Sequence, residues 1–149
     1  MFFAKGVIET VKKLNWSPDI IHVHGWMASL FPLYLKTYYK DEPVFENSKI
    51  VTSVYNKSFD ESLNKKLVEK ILFDEINEDL IKGLKDPSYN NLMKNAIDFS
   101  DALIIGSEEI PEEILNHLNS SDKPVLGYQS RETFSEAYTE FYKNEVLNQ

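Results

Sequence analysis

The 149-residue chain has no cysteine. Disulfides, thiolate nucleophiles and cysteine-ligated metals are therefore excluded. It also lacks an excess of positive charge: 16 Lys and Arg stand against 24 Asp and Glu, a formal net charge of −8. Surfaces that track nucleic-acid phosphates need clustered Lys and Arg, so nucleic acid is not an expected partner. No apolar run approaches the ~20 residues needed to span a bilayer. The opening Met1-Phe2-Phe3-Ala4-Lys5-Gly6 is too short in its apolar part for a signal peptide, and Lys5, Glu9, Lys12 and Lys13 break up the apolar residues around them. A cytoplasmic protein without a membrane partner is the expectation. Among the five glycines, no Gly-x-Gly-x-x-Gly, Gly-x-x-x-x-Gly-Lys-Ser/Thr or Gly-x-Ser-x-Gly motif occurs. Repeats, low-complexity tracts and interdomain linkers are absent too, so residues 1–149 read as one domain.

What is present is the composition of a globular domain, with 42% hydrophobic and 13% aromatic residues. At this size roughly two-thirds of the unfolded chain's surface can be buried. Phe3, Val7, Ile8, Val11 and Leu14 recur at helical spacing and predict a helix packed on a sheet. Asn15-Trp16-Ser17-Pro18 ends it, because proline pushes Ser17 towards extended backbone. Ile20-Ile21-His22-Val23 reads as a buried strand, followed by a tight turn at Gly25. Met27, Leu30, Phe31, Tyr34, Leu35 and Tyr38 predict a second helix, kinked or displaced at its start by Pro32. Ile50–Tyr55 reads as a second strand.

Residues 56–85 carry the weakest pattern. Leu63, Leu67, Val68, Ile71 and Leu72 suggest a helix, and residues 74–79 form an acidic patch that reads as a solvated face or a metal site. Asp86 and Pro87 read as the N-cap and first residue of a helix that buries Tyr89, Leu92, Met93, Ala96 and Ile97. Ala102–Gly106 is a fully apolar third strand. Pro111 opens a helix through Ile114, Leu115 and Leu118, and Pro124–Gly127 is a short fourth strand. Thr133 and Glu136 form a capping box before a last helix bearing Phe134, Ala137, Tyr138, Phe141 and Tyr142. Strands alternating with helices predict an α/β fold: a Rossmann-like parallel sheet with helices on both faces.

The stretch Asp19–Trp26 places two imidazoles at the carboxyl end of a strand, where open α/β sheets bind ligands. His22 and His24 are two apart and share a strand face. Three readings fit them: a metal pair, a structural imidazole satisfied by its surroundings, and sugar recognition through His24. The metal reading lacks further ligands, since the one other histidine, His117, lies in a predicted helix. Ser107 follows a strand and Gly106 as a nucleophile would, but without the second glycine of an elbow, so a cap or turn role competes. Trp16 and Trp26 could stack on a sugar ring or fill the core.

Pro18-Asp19-Ile20-Ile21-His22-Val23-His24-Gly25-Trp26-Met27-Ala28, followed by Pro32-Leu33-Tyr34-Leu35-Lys36, resembles the His-x-His-Asp/Gly-Trp region of bacterial glycogen and starch synthases, the retaining glucosyltransferases of glycosyltransferase family 5. Val51–Asn56 resembles the strand ending in that family's Thr-x-His-Asn. Asn91–Ile97, with Ser100-Asp101-Ala102 and Ser107, resembles its Leu-Lys-x-x-Ile…Ala-Asp-x-Val…Val-Ser-Pro region. The similarity runs in order over residues 1 to about 115.

The resemblance implies part of the amino-terminal domain of a two-domain, GT-B glycosyltransferase, the half that cradles an α-1,4-glucan acceptor while ADP-glucose binds mainly to the other half. It implies His24 as the catalytic position contacting the transferred glucose. His22, Trp26, Tyr55 and Asn56 are implied on the substrate side, with His22 and Trp26 holding the loop. No metal or cofactor is implied. The sequence departs from the family pattern at Gly25, where Asp is commoner, at Tyr55 in place of His, and at Glu108 in place of Pro. The Lys-Thr-Gly-Gly first strand and the donor-binding domain do not occur in it. The expectations are glucosyl transfer as the parent reaction, no turnover by this chain alone, and an open sheet edge calling for a partner chain. The competing readings are a non-catalytic glucan-binding or interaction module, and a His-x-His metallohydrolase.

Overall fold

The structure is a computed structural model and describes residues 2–148. In chain order it contains α1 (Phe2–Lys13), β1 (Ile20–His24), α2 (Phe31–Lys36), β2 (Lys49–Val54), α3 (Lys66–Leu72), α4 (Tyr89–Asp98), β3 (Ala102–Ile105), α5 (Glu112–Asn119), β4 (Val125–Leu126) and α6 (Phe134–Phe141). Short 3-10 segments precede α2, β2 and α4, and a π-turn, Tyr142–Val146, continues α6. The four strands are all parallel and lie side by side in the order β1-β2-β3-β4. Ile21 lies opposite Ile50, and Thr52 opposite Leu103. The expected Rossmann-like parallel sheet with helices on both faces is what forms.

Strand alternation sorts the core into two layers. Ile21, Val23, Ile50, Val54 and Leu103 face a layer built from α1, α2, α4 and α5, where Ile8, Leu33, Met93, Ile97 and Ile114 are wholly buried. Val51, Ala102 and Ile104 point the other way, against Phe141 and Val146 of α6 and its π-turn. Polar ties fix the register of these layers. The Asp101 carboxylate accepts the Ile50 N–H at 2.7 Å and the Lys36 ammonium at 2.8 Å. Ser100 donates to the Ala96 carbonyl and pairs with buried Thr52 at 2.7 Å, so Thr52 is the donor in that pair. On the far side of the helix layer, Asp74 takes a bond from Lys5 and another from buried Tyr34, tying α1 and α2 to the segment after α3.

Several local expectations are corrected. Pro32 displaces the start of α2: Trp26–Ala28 is a separate 3-10 turn and the helix begins at Phe31, which leaves Met27 exposed. The cap of α4 is Ser88, whose hydroxyl accepts the Asn91 N–H, and not Asp86 with Pro87. Asp86 instead receives Ser62 and binds the loop to that helix start. The Thr133–Glu136 box does not form: Thr133 has helical backbone and its side chain accepts from no N–H of the first turn, its hydroxyl donating to Gln129. In α1, Phe3 and Leu14 are exposed although they lie on the apolar stripe. The cause is position: β1 is an edge strand, and α1 overhangs it, leaving an apolar groove of about 400 Å³ lined by Phe3, Val7, Val11, Trp16, Ile21 and Phe45 among others.

Leu103 is wholly buried on the central β3 strand between α4 and α5. Leu103→Ala is expected to destabilise the fold by about 2–5 kcal/mol, the range for a buried leucine truncation. Urea unfolding followed by circular dichroism measures it.

Candidate functional site

The polar groups of interest gather at the carboxyl ends of β1 and β2. Gly25 ends β1 with φ +68° and ψ −176°, a backbone that a side chain would strain. Its N–H bonds the Ser53 carbonyl, so the chain leaves the sheet abruptly and His24 stands at the rim.

His22 and His24 do share a face. Their rings lie 3.9 Å apart at 35°. His22 is held at both nitrogens: Nε2 lies 2.7 Å from Ser53 Oγ, and Nδ1 lies 2.6 Å from the Tyr142 hydroxyl. His24 is held at one, its Nδ1 being 2.8 Å from the Tyr55 hydroxyl. Among the described residues nothing bonds His24 Nε2.

Burial first, and the neighbouring His24 imidazole second, push the His22 pKa down to about 4. Burial also lowers that of His24. Both rings are therefore neutral at pH 7. Burial raises the Tyr142 phenol to about 12, so it stays protonated.

Tyr55 is the hinge of the arrangement. Its hydroxyl holds His24, its carbonyl accepts the hydroxyl of Tyr89, and its ring lies across Gly106. A Cβ at Gly106 would sit 2.5 Å from that ring, so the glycine is what lets Tyr55 cover the end of β3. Asn56 is exposed and its N–H donates to Ser107 Oγ at 3.0 Å, joining the loops after β2 and β3. Ser107 thus serves as a turn tie with no histidine beside it. Trp26 packs edge-on against Phe59 at 4.9 Å and is partly buried with the α4–α5 cluster. Trp16 is exposed in the α1 groove, whose lining also includes His22 and His24.

Of the residues singled out from sequence, His22, His24, Trp26 and Tyr55 cluster here. A cavity of about 210 Å³ opens among His24, Gly25, Trp26, Met27, Tyr55, Lys57 and Tyr89. Asn56 adjoins it in sequence without lining it. Ser53 and Tyr142 were not legible as partners of His22, nor Gly106 and Tyr89 as neighbours of Tyr55. Tyr142 showed only as part of an apolar helical stripe, and Ser53 as an ordinary strand residue. Among the described residues no group of three or more acidic or histidine side chains is arranged to hold a metal ion. Both His22 nitrogens are already engaged with protein hydroxyls, which counts against the paired-histidine metal reading.

A four-stranded parallel sheet flanked by helices, with imidazoles and phenols gathered at its carboxyl edge, is of the Rossmann-like class. The chain belongs to the starch synthase catalytic domain family, whose model matches residues 1–124. It is 38% identical to the glycogen synthase of Chlorobium phaeovibrioides over 113 residues, which is 76% of this chain and 22% of that protein. It is 37% identical to the glycogen synthase of Chlorobium luteolum over 116 residues, 78% of this chain and 23% of that protein. The glycogen synthase of Thermotoga maritima is 34% identical over 115 residues, again 76% and 23%. The chain thus spans about a quarter of the length of these curated relatives. No solved structure matches it.

The histidine pair makes stability depend on pH. His22 titrates near 4 when folded and near its ordinary 6.5 when unfolded. Between these values the unfolded chain binds the extra proton, so stability is full above pH 6.5 and falls as pH drops towards 4. The whole shift corresponds to roughly 3 kcal/mol, and screening at a partly exposed ring brings the expectation to on the order of 1–2 kcal/mol. Unfolding free energies from urea titrations at pH 7 and pH 5, which span a little over half of that window, should differ by about 1 kcal/mol in the native sequence and by clearly less in His22→Gln.

Proposed function

We propose that this chain is the acceptor-side portion of a glucosyltransferase of the glycogen and starch synthase type, acting in the cytoplasm. The parent reaction transfers glucose from ADP-glucose to the non-reducing end of an α-1,4-glucan. The C1–O bond to the diphosphate breaks, ADP leaves, and C1 bonds to the acceptor's O4, which gives up its proton. The observation that carries the reading is His24: a neutral imidazole at a strand's carboxyl end, held at Nδ1 by Tyr55, with Nε2 unengaged beside a cavity of about 210 Å³.

Such a group orients a sugar hydroxyl and presents a fixed dipole where positive charge develops on the sugar ring. Trp26 and Tyr55 complete the acceptor wall, Asn56 follows at the exposed end of β2, and His22 supports His24 from within the sheet. The sequence supplies no glycine-rich phosphate loop, and among the described residues lining the cavity the one cation is Lys57. Diphosphate charge is therefore neutralised elsewhere in the parent enzyme, and this chain alone binds glucan without turning it over.

Titration with maltoheptaose should give millimolar binding that weakens at least tenfold in His24→Ala. Incubation with ADP-glucose and glycogen should release no ADP above the blank. Absence of maltoheptaose binding, or binding indifferent to His24→Ala, overturns the acceptor reading. ADP release that disappears in His24→Ala overturns the claim of inactivity. Binding without turnover in every larger form of the protein would favour the non-catalytic glucan module.

The free edge of β1 is the second element of the proposal. The parity of its ladder with β2 turns the N–H and C=O groups of Ile20, His22 and His24 outward. Beside them, Phe3, Leu14 and Trp16 are exposed. Such an edge pairs with a strand of another polypeptide. Light scattering should detect concentration-dependent association of the chain, reduced in Trp16→Lys. A monomer at all concentrations removes the partner from the proposal.

A further inference from the structure

One nitrogen of His22 is held from outside the segment that the family model matches. That match ends at residue 124, whereas α6 and its π-turn occupy residues 134–146. From there Tyr142 reaches back 120 positions to His22 Nδ1 at 2.6 Å. Tyr138, one turn earlier, sets its ring 5.9 Å from the same imidazole, and the two tyrosines pack edge-on with centroids 6.1 Å apart.

The element is anchored on both sides of this contact. An uninterrupted α-helix repeats every 3.6 residues, and the π-turn beginning at Tyr142 inserts one more residue into the turn that follows it. Phe141 before it and Val146 at its end are both buried in the core beneath the sheet, and Tyr142 beside them meets the histidine.

A neutral imidazole carries one proton, so one nitrogen donates and the other accepts. Tyr142 and Ser53 sit on the two nitrogens of His22; the phenol is the stronger donor of the two hydroxyls, so Tyr142 donates to Nδ1 while Nε2–H donates to Ser53 Oγ, and together they favour one tautomer and fix the ring plane. Among the described residues no hydrogen bond or ring contact joins His24 to Tyr142, yet the His24 ring lies 3.9 Å from that of His22. We propose that α6 is a positioning arm: Tyr142, backed by Tyr138, locks the tautomer and plane of His22, and through the ring contact sets the orientation of His24 towards its ligand.

The consequence for glucan binding rests on the function proposed above; the locking of His22 does not. The experiment therefore has two readouts on one set of proteins: the native chain, Tyr142→Phe and Ser53→Ala. Phenylalanine keeps the ring and its packing and removes the hydroxyl alone.

The first readout is the pair of imidazole 15N shifts at pH 7. The native chain should show His22 in a single tautomer. Tyr142→Phe should move both His22 nitrogens towards the averaged values of a tautomer mixture and shift the His24 ring signals, with far-ultraviolet circular dichroism unchanged. Ser53→Ala removes the partner on the other nitrogen and should also release the tautomer. An averaged His22 in the native chain, or identical His22 shifts in native and Tyr142→Phe proteins, overturns the proposal. The native-chain measurement decides it even if a variant does not fold.

The second readout is maltoheptaose affinity, expected to fall about fivefold in Tyr142→Phe. Equal affinity in a native chain that binds overturns the claim that the arm sets His24. Failure of the native chain to bind at all sinks the acceptor reading and leaves the nitrogen shifts to decide the locking of His22.

Discussion

A parallel sheet whose strands lie in chain order, β1-β2-β3-β4, covers itself on one side only. Right-handed crossovers that always step in the same direction deliver every connecting helix to the same face. Here α2, α4 and α5 arrive on that face, and α1 joins them from before β1. The opposite face carries Val51, Ala102 and Ile104, all without solvent exposure, and a single late element, α6 with its π-turn, supplies their cover. The rest of the architecture depends on that one helix returning beneath the sheet.

The same return shapes the site. His22 lies on the face that α6 covers, two residues from Ile20, which belongs to the α6 cluster. Burial there costs an imidazole its charge, and the ring persists as a neutral group because Tyr142 and Ser53 satisfy both nitrogens. His24 sits one pleat further along, past the cover, with one nitrogen held and one unengaged. Two histidines of the same type on the same strand face thus acquire different characters from depth alone: the inner one supports and the outer one is presented. Tyr55 and Gly106 complete the division, since only a residue without a Cβ at the end of β3 leaves room for the ring that steadies His24.

Much of this was legible in the residues. The alternation of apolar strands with amphipathic stretches gave the parallel α/β class, and the His22-Val23-His24-Gly25-Trp26 stretch marked the strand end around which the aromatic groups collect. Boundaries were less legible where local signals competed. Asp86 followed by Pro87 is as good a helix start as Ser88, and only the packing of Tyr89 and Leu92 against the sheet selects the later one. Thr133 had the spacing of a capping box, but its backbone is already helical and its side chain caps no N–H. Phe3 and Leu14 fit a buried stripe; periodicity records which side of a helix is apolar and carries no information on whether a sheet lies beneath it.

The sequence by itself determined the fold class, the family and the position of the histidine pair, because hydrophobic period and short motifs are local properties. Tertiary structure decided what each histidine is bonded to. Tyr142 stands 120 residues from His22, and Ser53 and Tyr55 stand 31 residues from their respective partners. No spacing rule links such positions. They meet because the parallel register aligns the ends of β1 and β2, and because the bare face of the sheet draws α6 back across it.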